Sequence, residues 1–369
     1  MTHLKKITQV LAATAVFASS FAGVASADMA AIEEAAKAEG KLSTIALPHD
    51  WCGYGDIIAS FKAKYPFLTV TELNPDAGSA DEIEAIKANK DNKGPQNPDV
   101  IDVGLAFGPS SQAEGLLQPY KVSTWGEIAD NIKDADGHWY GAYHGVMSFV
   151  VNKDLVQNVP QDWADLLKPE YAGQVALAGD PRASSQAILG VLAAGMATGA
   201  AAGEAAGAAG LDFFKQLNAA GNFVPVIGKA GTLAQGTTPI VIAWDYNGLS
   251  WGKTLAGNPP VEVVIPKSGK LAGVYVQAIN AFAPNPNAAK LWMEHIFSDE
   301  GQIGYNKGFC QTARFNTMVA AGKVPADVLA AMPAAESYVG AYFPTLAELD
   351  GNKTAVTGGW DATVGADVK

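Results

Sequence analysis

Between residues 41 and 103 the chain repeats one pattern, an apolar run, a polar turn and an amphipathic stretch, and this repeat restricts the folds open to it. Lys41 to Leu47 is an apolar-rich strand closed by Pro48, and Asp56 to Tyr65 puts Ile57, Ile58 and Phe61 on one helix face. Thr69 to Leu73, Asp81 to Asn89 and Val100 to Val103 continue as strand, helix and strand, the last bounded by Pro98 and Gly104. Alternation of this kind predicts an α/β fold with a mainly parallel sheet flanked by helices. Ligands meet such sheets beyond the carboxyl ends of the strands, which marks the loops 48–55 and 104–111.

At 369 residues and 49% apolar side chains, the chain is too long for one comfortable core and is expected to divide into two lobes. Its start reads as a secretory signal peptide: Lys5 and Lys6, an apolar run from Ile7 to Phe21, and Ala25-Ser26-Ala27 as the cleavage site. That run is shorter than the roughly 20 residues needed to span a bilayer, so direct membrane insertion is not expected. Of the 25 basic side chains, 23 remain after cleavage against 37 acidic ones, so nucleic acid is not an expected partner. Export places Cys52 and Cys310, the two cysteines, where disulfides form. A pair closing a very long loop is expected, with two buried free thiols as the alternative.

Two stretches concentrate polar chemistry at the end of an apolar run. In residues 160–190 the strand Gln174 to Ala178 runs into the turn Asp180-Pro181-Arg182 and then an apolar helix, with Ser184 and Ser185 at its start. Free N–H groups at a helix start attract an anion, and Arg182 adds a fork of donors, its alternative being a surface ion pair with Asp180 or another carboxylate. In residues 238–248 an apolar run ends in Trp244, Asp245, Tyr246 and Asn247. Polar and aromatic groups gathered at a strand's end are expected to face the cleft, with Asp245 a partner for an ammonium; the alternative is that Trp244 or Tyr246 is core and Asp245 caps a helix. In the first lobe, Trp51 and Tyr54 are expected to form an opposing aromatic wall, or Trp51 to pack over the cysteine pair, while Tyr143 and Tyr275, in extended apolar stretches, are further cleft candidates. Residues 193–210, almost wholly Ala and Gly, read as an alanine-dominated helix interrupted by a glycine turn.

These segments in this order, with Trp163, the Lys168-Pro169-Glu170-Tyr171 turn and the KLWMEHIFSDEGQ helix (290–302), resemble the solute-binding proteins of ABC importers. The branch resembled takes up polyamines, ferric iron, thiamine, aminoethylphosphonate and 4-aminobutyrate. The resemblance implies a type II periplasmic binding protein fold with the ligand cleft between two lobes. Its expected division is a signal peptide over 1–27, first lobe 28–143, second lobe 144–275, and first lobe again over 276–369. It further implies a monomeric periplasmic protein that captures a small molecule and delivers it to an inner-membrane permease, without catalysis, cofactor or metal. Arg182 and Asp245 together suit a zwitterion such as 4-aminobutyrate or an aminophosphonate. A polyamine, thiamine or another organic cation is the alternative, although the carboxylate that polyamine binders commonly carry near Tyr275 has no counterpart between Gly269 and Pro284.

Two other chemistries are weaker. Iron-binding members use paired tyrosines, and this chain has no Tyr-Tyr dipeptide; His49, His138, His144 and His295 lack close metal-ligand spacing. Gly248-Leu249-Ser250-Trp251-Gly252 matches the nucleophile elbow of serine hydrolases, with His295 as the one downstream histidine.

Overall fold

A computed structural model describes residues 28–369; the expected signal peptide and its cleavage after Ala27 lie outside the described residues. The chain enters through helix α1 (28–39), which Gly40 ends at a φ of +67°, where a side chain would be strained. Strand β1 (Lys41–Ile45), helix α2 (Tyr54–Lys64), strand β2 (Thr69–Leu73), helix α3 (Ser79–Asn89) and strand β3 (Val100–Gly104) follow as the repeat predicts, whereas most of the span 104–111, read as a loop, belongs to helix α4 (Phe107–Ala113). The short strand β4 (Leu117–Gln118) then precedes β5 (Tyr140–Asn152). Next come β6 (Val175–Leu177), α5 (Ser185–Ala197), α6 (Glu204–Ala219), α7 (Ala230–Ala234), β7 (Ile240–Trp244), α8 (Asp245–Leu255) and β8 (Val261–Val264). The chain returns through β9 (Ala272–Asn280), α9 (Pro286–Phe297), α10 (Asp299–Lys307), β10 (Gln311–Thr312), α11 (Phe315–Ala320), α12 (Ala326–Ala331) and α13 (Leu346–Thr363).

β5 holds the two halves together. Its first part, Tyr140 to Val146, pairs with β9, and its second part, Met147 to Asn152, pairs with β7 and β8. The strand therefore leaves one half and enters the other between Val146 and Met147. All of its residues but His144 are buried, as expected of a strand covered on both faces. β1 with β2 and β6 with β7 are parallel, the first pair joined through α2 and the second through α5, α6 and α7. β5 and β9 run antiparallel to their neighbours because they carry the chain across and back.

The Ala/Gly stretch is two helices, α5 and α6, separated by a turn through Gly199 and Gly203 at positive φ. The C-terminal tail, expected wholly on the first lobe, divides. α12 lies against α10, but α13 packs on α5 and α6 of the other half. Its buried face of Leu349, Asn352, Val356 and Trp360 accounts for this, with Trp360 against Phe214 and Phe223. The chain end follows: Ile227 N–H donates to Lys369 O at 2.8 Å. Cys52 and Cys310 are joined by a disulfide across 258 residues of sequence, between the α2 entry and the β10 entry. No helix among the described residues is long and apolar enough to cross a membrane.

Candidate functional site

Loops at the carboxyl ends of β1, β2 and β6, with helix α8 after β7, converge on a cleft of about 230 Å³ between the halves, which the expected loop 104–111 does not line. Asp50 and Trp51 line it after β1, Asp76 to Glu82 after β2, and Asp102 stands in β3. Across from them are Asp180 and Ser184 to Gln186 after β6, Lys229, and Asn247 and Trp251 of α8, with Tyr275 of β9 between. Two contacts bridge the sides: Lys229 Nζ lies 2.8 Å from Asp76 Oδ1, and Ala80 N–H donates to Ala183 O at 3.1 Å.

The floor of the cleft carries two buried carboxylates. Asp102 is 5% exposed and Glu82 1%. Asp102 accepts from Tyr54 Oη at 2.8 Å, from Gln277 Nε2 at 2.7 Å and from Tyr143 Oη. Glu82 accepts the Asp102 N–H at 2.9 Å. Burial pushes Asp102 up to about 7 against the pull of its three donors, and burial together with the Asp102 charge pushes Glu82 well above the usual range. No cationic side chain among the described residues offsets either group. The two acids thus share the cleft floor with no counter-charge, which marks them as candidates for a functional role.

An aromatic cluster stands beside them. The Trp51 indole, from the loop after β1, meets Tyr246 and Tyr275 edge-on, each at 5.3 Å between ring centroids, and donates from Nε1 to Tyr143 Oη at 2.8 Å. Tyr143 stacks on Tyr275 at 5.5 Å. Of the residues singled out in the sequence, Trp51, Ser184, Ser185 and Tyr275 line the cleft. Tyr54 and Tyr143 lie one layer behind, holding Asp102.

Arg182, Trp244, Asp245 and Tyr246 stand elsewhere than the two-ended site requires. The Arg182 guanidinium turns toward the chain end and pairs with Asp180 at 2.8 Å, Asp367 at 2.9 Å and Asp361 at 3.2 Å. Trp244 is fully buried against Tyr246 and Tyr275. Asp245 opens α8 and is buried, accepting from Val146 N–H at 2.9 Å and Tyr338 Oη at 2.6 Å. Helix α8 begins one residue after β7, so the face at Asn247 and Trp251, four apart, meets the cleft instead. Asn247 Oδ1 is buried there without a hydrogen-bond partner.

The sequence reading missed Glu82, Asp102 and the loop after β2. A carboxylate inside the otherwise apolar run Val100 to Gly104 is itself a signal, since an acid is seldom buried without a task. The carboxyl-end rule applied to β2 as to β1 would have found the loop at Asp76 and the first turn of α3, which carries Glu82. Ser250 lies within α8 rather than at a strand-to-helix elbow, and His295 Nε2 is 2.9 Å from Ser60 Oγ in the first half, so no hydrolase triad forms among these residues. Asp134, Asp136 and His138 gather in one turn, where Asp134 Oδ2 accepts the N–H groups of Asp136 and His138.

Residues 96–322, more than half the chain, match the family model described as bacterial extracellular solute-binding protein. The chain belongs to this family. A Haemophilus influenzae protein of uncharacterized function is 27% identical over 293 residues, which are 74% of this chain and 77% of that protein. Among solved structures, the periplasmic binding protein AfuA from Actinobacillus pleuropneumoniae, with exogenous fructose-6-phosphate bound, superposes with a TM-score of 0.65 at 19% identity, covering 88% of this chain and 99% of its own. The binding protein AgtB from A. tumefaciens R10, in complex with agropinic acid, gives 0.66 at 17% identity, covering 88% and 98%. Likeness at this level shows the two-lobed periplasmic binding protein fold, and the cleft lies where its two lobes meet. Fold and family are those of substrate-binding proteins of ABC transporters.

Proposed function

We propose that this solute-binding protein works in the periplasm, where it captures a small amine-bearing solute and hands it to an ABC permease. The ammonium end sits on Glu82 and Asp102. The carrying observation is that these two carboxylates are buried at the cleft floor without a cationic partner among the described residues, beside Trp51 and Tyr275. A desolvated ammonium against aromatic faces gains about 2 kcal/mol or more, beyond its charge pairing. Asp50 and Asp81 add to the negative lining, whereas Lys229 is already paired with Asp76.

A zwitterion remains a second reading, on residues other than Arg182. Ser184 is the N-cap of α5, and no side chain accepts from the first-turn N–H groups. That helix start faces the cleft opposite Glu82 and suits the acidic end of an amino acid or aminophosphonate. Bound solute favours the closed arrangement by its differential affinity for it, and the closed form is the one a permease reads.

A thermal-shift panel separates these readings. Ligand at 100 times its Kd adds about 2.7 kcal/mol to the native state. For a chain of this size that is a rise in Tm of about 5 °C. Putrescine or spermidine, and on the second reading 4-aminobutyrate, are expected to give such a rise in the protein and none in Asp102→Asn. A rise with fructose-6-phosphate or ferric citrate and with no amine would overturn the proposal.

A further inference from the structure

The Trp51 indole reaches into the cleft from a loop, yet it is held at both ends. Its backbone neighbour is Cys52, bonded to Cys310. Cys310 leads directly into β10, whose Thr312 lies opposite Tyr143 in the ladder with β5. Tyr143 Oη accepts the Trp51 Nε1–H at 2.8 Å. The circuit thus closes on itself, from Trp51 through the disulfide and one rung of sheet to Tyr143 and back to Trp51.

The backbone around the bond is tightly seated. Cys52 and Gly53 both take positive φ, and a side-chain carbon at Gly53 would fall 2.5 Å from Gly304 O. One at Gly308 would fall 2.2 Å from the Cys52 carbonyl carbon. The loop lies directly on the end of α10, and both cysteines are fully buried. A disulfide acts on the unfolded chain by restricting it.

We propose that the Cys52–Cys310 disulfide is a positioning clamp for Trp51, so that solute affinity depends on the disulfide through the placement of that indole. The inference rests on the cation reading for its ligand, but its structural half is independent of it. Trp51 in place presents its ring beside Asp102, whose position Tyr143 shares. With the clamp released, the loop is free to carry the indole off Tyr143, and the aromatic side of the site is lost while its carboxylates stay.

The test compares Cys52→Ala/Cys310→Ala with the intact protein and repeats the comparison in a Trp51→Phe background. The putrescine Kd is expected to rise about tenfold on loss of the pair, and to rise by less than about twofold when Trp51 is already absent, since residues acting through one another are not additive. The Trp51 emission, taken as the difference between each protein and its Trp51→Phe counterpart, is expected to become more open to acrylamide quenching. An unchanged Kd and unchanged quenching would overturn the clamp, as would full additivity in the Trp51→Phe background. If the cysteine pair is needed for folding, Tyr143→Phe removes the other end of the clamp with the disulfide in place. There the quenching alone is the readout, and no change in it overturns the proposal. If putrescine fails to bind the intact protein, the cation reading falls, and the quenching comparison still decides the clamp.

Discussion

Arg182 shows how a single side chain can be read correctly as chemistry and wrongly as place. A guanidinium beside a helix start is a fair sign of an anion site, yet three carboxylates, two of them from the last nine residues of the chain, take up its donors. Nothing in the local sequence reveals Asp361 and Asp367 as partners, because they arrive from 179 and 185 residues away. Trp244 and Asp245 went the same way for a different reason: the boundary between β7 and α8 falls one residue before Asp245, and a shift of boundary rotates the face presented. Trp51, Ser184, Ser185 and Tyr275 were legible because strand-end loops and crossing strands face the cleft whatever the exact boundary. Arg182→Ala is therefore expected to leave solute affinity within about twofold. Its exposed ion pairs contribute only about 1 kcal/mol, a loss to be read by urea denaturation alongside a binding titration. A tenfold loss of affinity would return Arg182 to the site.

At the scale of elements, the strand, loop and helix repeat and the Ala/Gly stretch were legible from period and punctuation alone. What composition could not show was why so many glycines occur in α5 and α6. The two helices touch backbone to backbone: a side-chain carbon at Gly195 would fall 1.8 Å from Ala206 O, and one at Gly210 2.0 Å from Val191 O. Gly210→Ala must push the helices apart, an overpacking cost of about 1–3 kcal/mol, despite the better helix propensity of alanine. Chemical denaturation of the variant measures this, and a stability equal to or above that of the parent would show the contact to be looser than described. The placement of α13 was not legible, since its amphipathic face fits any apolar groove. Trp360 finds its partners in Phe214 and Phe223 only once α6 is in place.

At the scale of the molecule, two halves joined by β5 and β9 meet over a cleft whose charge is one-sided. The division into two lobes followed from length, but the sign of the cleft did not, because its acids come from three separate loops, a helix start and a strand. Asp76 lies against Lys229, while Glu82 and Asp102 have no counter-ion among the described residues. Asp102, held up to about 7 by burial, is a measurable reporter of that vacancy in charge. A cation bound beside it favours the ionised form and lowers its pKa, so binding near neutrality expels a proton and tightens as pH rises through about 7. Titration calorimetry with putrescine at pH 7, run in two buffers of different ionisation enthalpy, measures that proton directly. The account predicts net proton release in the protein and loss of both binding and release in Asp102→Asn. Proton uptake, or binding unchanged by Asp102→Asn, would contradict it.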